Sequence, residues 1–75
     1  MSRNYARLLL QARHARQLTQ ADVAGLDFSQ AYVFQIESGK QLPSHRFVRA
    51  MYHLVPQDQA EEAMKQDLYE RWRGP

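Results

Sequence analysis

Apolar residues recur along this chain at three- and four-residue intervals, and no stretch alternates in the way a half-buried strand would. Five helical segments follow from that spacing. The first runs from about Arg3 to Arg16, with Ser2 as its cap and Tyr5, Leu8, Leu9 and Ala12 along one face. The second opens on Thr19, an N-cap residue, with Asp22 three positions on and Val23 and Ala24 turned inward. It closes near Gly25 or Leu26. The third follows Ser29, another capping residue. Val33 and Ile36 form its inner edge, Gln30, Tyr32, Phe34 and Gln35 are expected outside, and Gly39 closes it in left-handed geometry. The fourth follows Pro43-Ser44, carries Phe47, Val48, Met51, Leu54 and Val55, and is stopped by Pro56. The fifth spans Gln57 to Trp72, with Ala60, Met64, Leu68 and Trp72 at steps of four and Ala63 beside them.

Short connections between these segments predict a compact all-α five-helix bundle. The 75 residues read as one domain, with a core over about 3–56 and a C-terminal helix over about 57–72. A chain this short buries only ~60% of its unfolded surface. It has no cysteine, so stability must come from packed helices or from a second chain.

Composition narrows the chemistry. His14, His45 and His53 match no zinc-binding pattern, and neither a metal nor a cofactor is expected. No nucleophile–base set and no phosphate-cradling glycine loop is present, which argues against an enzyme. No run of ~18 apolar residues exists, so no membrane span is expected. The arginine-studded start lacks a secretory apolar block and reads as mature sequence, compatible with the cytoplasm. Charge is uneven. Residues 1–55 carry seven Arg and Lys against three acids, net +4, whereas residues 56–75 are net −2. A basic body suggests a polyanionic partner.

The second and third segments, two short helices across a tight break, form a helix-turn-helix, in which the second helix can enter a DNA major groove. Here "RHARQLTQADVAGLDFSQAYVFQIESGKQLPS", Arg13 to Ser44, resembles the lambda-repressor-like, Cro/XRE-type helix-turn-helix domains. The carrying features are an Arg seven residues before a Gln, "LTQADVA", Ser-capped "SQAYVFQI", the "IESGK" closure and a following Pro-Ser.

That resemblance implies double-stranded DNA as partner and assigns roles. Gln20 matches a position that holds a phosphate and braces the recognition helix. Gln30, Ala31, Tyr32 and Gln35 match positions facing base edges or the groove wall, and Lys40 a backbone-contacting one. Arg13 and Glu37 match a structural ion pair. Phe34 on the same helix is expected to touch thymine methyls, to mark a protein contact, or to be buried if the shortened turn rotates the helix, and Arg46 and Arg49 would add phosphate charge. Three departures stand out. The turn is one residue short, with Asp27 about where the family's glycine would be, Gln17 stands where glycine is common, and "GKQLPS" after the recognition helix is less basic than in many relatives.

The expected function is a transcriptional repressor that binds an inverted-repeat operator as a homodimer, through a seam on the fourth or fifth helix containing Met64, Leu68, Tyr69 and Trp72, the fifth-helix stripe having core packing as its other reading. The alternative is a protein-interaction module, an anti-repressor or adaptor, using the same face for a second protein partner.

Overall fold

The computed structural model describes residues 3–73, with side chains described over residues 3–69. Five helices follow one another: α1 (Asn4–Ala15), α2 (Gln20–Ala24), α3 (Gln30–Glu37), α4 (His45–Ala50) and α5 (Gln57–Arg73). The all-α bundle expected from the spacing is what forms. The Ser2 cap lies outside the described residues.

Local chemistry sets the helix ends. Thr19 and Asp22 form a complete capping box: the Asp22 N–H donates to Thr19 Oγ1 at 3.0 Å, and the Thr19 N–H donates to Asp22 Oδ2 at 2.9 Å. The Thr19 backbone N–H, and after it the Thr19 hydroxyl, hold the Asp22 carboxyl below its ordinary range by hydrogen bonding to it. Ser29 and Ser44 cap α3 and α4, accepting from the N–H groups of Tyr32 and Phe47. At the end of α3, the Gly39 N–H reaches Ile36 O and the Lys40 N–H reaches Gln35 O. This is a Schellman closure, and Gly39 takes φ 77° to make it.

Two backbone positions depart from expectation. The left-handed residue between α2 and α3 is Gly25, at φ 58° and ψ −143°, not Asp27. That region is open essentially to glycine alone, so the turn is made two residues earlier than the resemblance placed it. Gln17 does adopt φ 58° at the corner after α1, a left-handed conformation that costs a side-chain-bearing residue on the order of 1 kcal/mol. The fourth helix is also shorter than its apolar stripe. It ends at Ala50, and Met51 to Leu54 continue as turns in which the Leu54 and Val55 N–H groups both reach Met51 O. Phe47, Val48, Met51, Leu54 and Val55 are nevertheless all buried.

The core gathers Tyr5 and Leu9 from α1, Val23 and Ala24 from α2, Val33 and Ile36 from α3, the α4 stripe, and Ala60 and Ala63 from α5. On α5 the buried line is Ala60, Ala63 and Asp67. Met64 is half-buried, while Leu68 and Tyr69 are 54% and 60% exposed. The face therefore lies about one position away from the Ala60–Met64–Leu68 line expected from steps of four.

Asp67 is the one buried charged residue among those described, at 1% exposure. It accepts from the Asn4 N–H (2.9 Å), the Asn4 side-chain Nδ2 (3.0 Å) and the Tyr5 N–H (3.0 Å). The first N–H groups of a helix have no partner within it, and Arg3 at the N-cap supplies no side-chain bond. A carboxylate from the last helix thus caps the first. Its negative charge at the positive end of α1 adds to the hydrogen bonds. Asp67→Ala removes the acceptor these donors share, the buried Tyr5 N–H among them, and is expected to destabilise the fold by about 2–3 kcal/mol. Thermal melting should show a midpoint lower by roughly 8 °C or more; an unchanged midpoint would mean the cap contributes nothing.

Candidate nucleic-acid interface

The placement of α3 rests on a polar knot at its C-terminal end. The Arg13 guanidinium meets the Glu37 carboxylate bidentately, Nε to Oε2 at 2.7 Å and Nη2 to Oε1 at 3.0 Å. Its remaining nitrogen, Nη1, donates to the Leu18 carbonyl at 2.9 Å. Gln20 Nε2 donates to Glu37 Oε1 at 3.0 Å. One carboxylate on α3 is therefore held by α1 and by the first residue of α2. Both charged side chains are nearly buried, at 12% and 5% exposure. The bonds to Glu37 raise the Arg13 pKa above its ordinary value.

The other end of α3 is held by aromatic rings. Phe28, just before the Ser29 cap, stacks on Tyr32 with centroids 5.8 Å apart and meets Phe47 edge-on at 4.9 Å. Tyr32 meets Phe47 edge-on at 5.4 Å, and its hydroxyl accepts from the Ser44 N–H at 2.9 Å. The α2–α3 turn, α3 and the start of α4 are thus locked together. Phe28 was not singled out in the sequence. Its signal is position: an apolar residue directly before an N-cap commonly packs back on the helix that follows.

This cluster corrects the expected outer face of α3. At 100° per residue, Tyr32 and Phe34 point to nearly opposite sides. Tyr32 turns inward, half-buried against α4, and so positions α3 rather than standing on its outer face. The exposed residues are Gln30, Ala31 and Phe34, with Gln35 half-buried beside them. No other part of the described chain covers that face.

Cations flank it. The Lys40 ammonium lies 5.8 Å from the centre of the Phe34 ring. The Arg46 guanidinium lies 4.9 Å from the Phe28 ring and 3.9 Å from the Asp27 carboxylate, a solvent-exposed pair worth little. Arg49 is exposed on α4. The residues expected at a dimer seam fall elsewhere, on α5. Met64 partly packs on the core, Leu68 and Tyr69 are exposed, and the Trp72 side chain lies outside the described residues.

Two short helices at a tight turn, the second braced at both ends and open to solvent on one side, make a helix-turn-helix. A family model described as a helix-turn-helix domain matches residues 4–63. The chain belongs to that family. No curated protein and no solved structure gives a significant match. A helix-turn-helix domain of this kind, consistent with the Cro/XRE type, points to DNA binding and to transcription regulation, and the family is typically non-enzymatic.

Removing one partner of the Arg13–Glu37 pair strands a nearly buried charge. Arg13→Ala and Glu37→Ala are each expected to cost about 3 kcal/mol, a melting midpoint lower by at least ~12 °C. The double variant should lose much less than the sum of the two. Strict additivity in that cycle would show that the groups do not interact.

Proposed function

We propose that this helix-turn-helix domain is a sequence-specific, double-stranded DNA-binding transcriptional repressor, acting in the cytoplasm as a homodimer on an inverted repeat. The observation that carries the reading is the outer face of α3: Gln30, Ala31 and Phe34 stand in solvent on a helix whose angle is fixed at both ends. Such a face enters a major groove without rearrangement.

The roles divide by chemistry. The Gln30 amide offers a donor and an acceptor together, the pattern that adenine N6 and N7 require, and Ala31 is small enough to lie against the groove wall. Gln35, half-buried beside them, meets the edge of the groove. Lys40, Arg46 and Arg49 meet phosphates, which set register and contribute affinity but carry no sequence information. Gln20 bonds Glu37 through its nitrogen and keeps its amide oxygen and second N–H, the latter suited to a phosphate. Tyr32 accepts from Ser44 and retains its hydroxyl proton for a nearby phosphate. Repression then follows from occupancy of a promoter.

Pairing of two copies is supported by α5. Leu68 and Tyr69 are exposed at a groove of about 120 Å³ lined by Pro43, Val48, Tyr52, Met64 and Leu68, with His45 and Glu61 also in its wall. A two-fold partner seated there would present two α3 helices to one side of a duplex, with half-sites about 34 Å apart. The second reading, a protein-interaction module using the α3 face, is favoured by one observation, the 47% exposure of Phe34.

Random-site selection with the purified protein separates the two. The proposed function predicts enrichment of a two-fold symmetric site. It also predicts binding that falls with salt at a log–log slope of about −5, for roughly six phosphates met by one dimer. No enrichment at low salt would transfer the α3 face to a protein partner. For the pairing, Leu68→Glu is expected to move sedimentation from dimer to monomer and to weaken binding to the full site far more than to a half-site. A wild type that sediments as a monomer even on DNA would remove the homodimer.

A further inference from the structure

The outer face of α3 carries neither arginine nor lysine. Its exposed groups are one amide, one methyl and one half-exposed phenyl ring, those of Gln30, Ala31 and Phe34. Guanine presents O6 and N7, two acceptors read best by a cation with paired donors, and this face has none. Thymine presents a C5-methyl group, which apolar side chains cover, and adenine matches a glutamine amide. The tip of this helix is thus suited to A·T pairs.

We infer that Phe34 is a specificity-determining residue that reads the C5-methyl group of thymine, within an A·T-rich half-site. This rests on the proposed DNA reading and specifies its substrate. Phe34 lies one helical turn beyond Gln30, about 6 Å along the axis, so its ring reaches a base pair one or two steps from the adenine that Gln30 contacts. The Phe34 side chain is not consumed by the fold. The aromatic cluster that holds α3 uses Phe28, Tyr32 and Phe47 and leaves Phe34 out. The single ring contact described for it is the Lys40 ammonium at 5.8 Å. That cation sits over the ring and just past the end of α3, where it can meet the phosphate flanking the same thymine. The ring then reads the methyl group while the ammonium independently meets the adjacent backbone.

Deoxyuridine differs from thymidine by this methyl group alone, so it is the probe. Each thymine of the selected site is replaced in turn by deoxyuridine, and binding to the full-length protein is titrated. The wild type should bind about four-fold more weakly at one or two positions per half-site, the worth of one buried methyl group. Phe34→Ala, checked for helix content, should bind the natural site about as weakly and be indifferent to deoxyuridine there. Phe34→Leu, which keeps an apolar surface, should retain the sensitivity. Lys40→Gln should flatten the salt slope by about 0.9 per subunit and leave the methyl effect unchanged. A wild type blind to deoxyuridine throughout, or a Phe34→Ala variant that keeps the full penalty, overturns this inference and leaves DNA binding standing. A selected site built of G·C pairs does the same. A selection that enriches nothing overturns both readings at once.

Discussion

The carboxylate of Glu37 is the point on which the arrangement turns. Three donors from two other helices converge on it, and through it the last turn of α3 is tied to α1 and α2. Apolar packing alone would let a helix of eight residues roll, because Val33 and Ile36 are a narrow keel. A bidentate guanidinium has one acceptable geometry, so it fixes an angle as well as a distance. The fourth bond, from Arg13 to the Leu18 carbonyl, ties the corner between α1 and α2 into the same knot. That corner contains the left-handed Gln17, whose strain the knot and the flanking backbone bonds offset.

The rest of the molecule solves a problem of scale. With neither disulfide nor described metal cluster, 75 residues must hold together on side chains. The solution is to let a few residues act on more than one element at once. Phe47 is buried in the core and also forms the edge against which Phe28 and Tyr32 rest. Tyr32 belongs to α3 but satisfies the first N–H of the α4 cap. Asp67 belongs to α5 but terminates α1. Such sharing explains how a small core can hold a short helix rigidly enough to present a face.

Much of this was legible in the sequence, and what escaped has a common cause. Helix existence, the caps Thr19, Ser29 and Ser44, and the Gly39 closure are local, and local chemistry specifies them. The Arg13–Glu37 pairing was available only through family resemblance, since nothing in the spacing of two residues 24 apart reveals contact. Asp67 was unreadable for a related reason. In the sequence it is one acid among five in an acidic tail; only the buried line Ala60, Ala63, Asp67 marks it, and the steps-of-four line drew attention to Leu68 instead. Tyr32 was misplaced by counting aromatics rather than angles, although 200° of rotation separates it from Phe34. The turn residue was misassigned because resemblance fixes a position by counting, whereas the backbone chose the glycine that was present, Gly25.

The Asn4–Asp67 fastening has a consequence for how the chain comes into being. Synthesis delivers α1 before α5, so the opening N–H groups of α1 do not meet the Asp67 carboxylate until α5 has emerged. Closing a loop of more than sixty residues carries an entropic cost that only the complete core offsets. The N-terminal cap of α1 is thus completed by α5, the helix farthest from it in the sequence of elements.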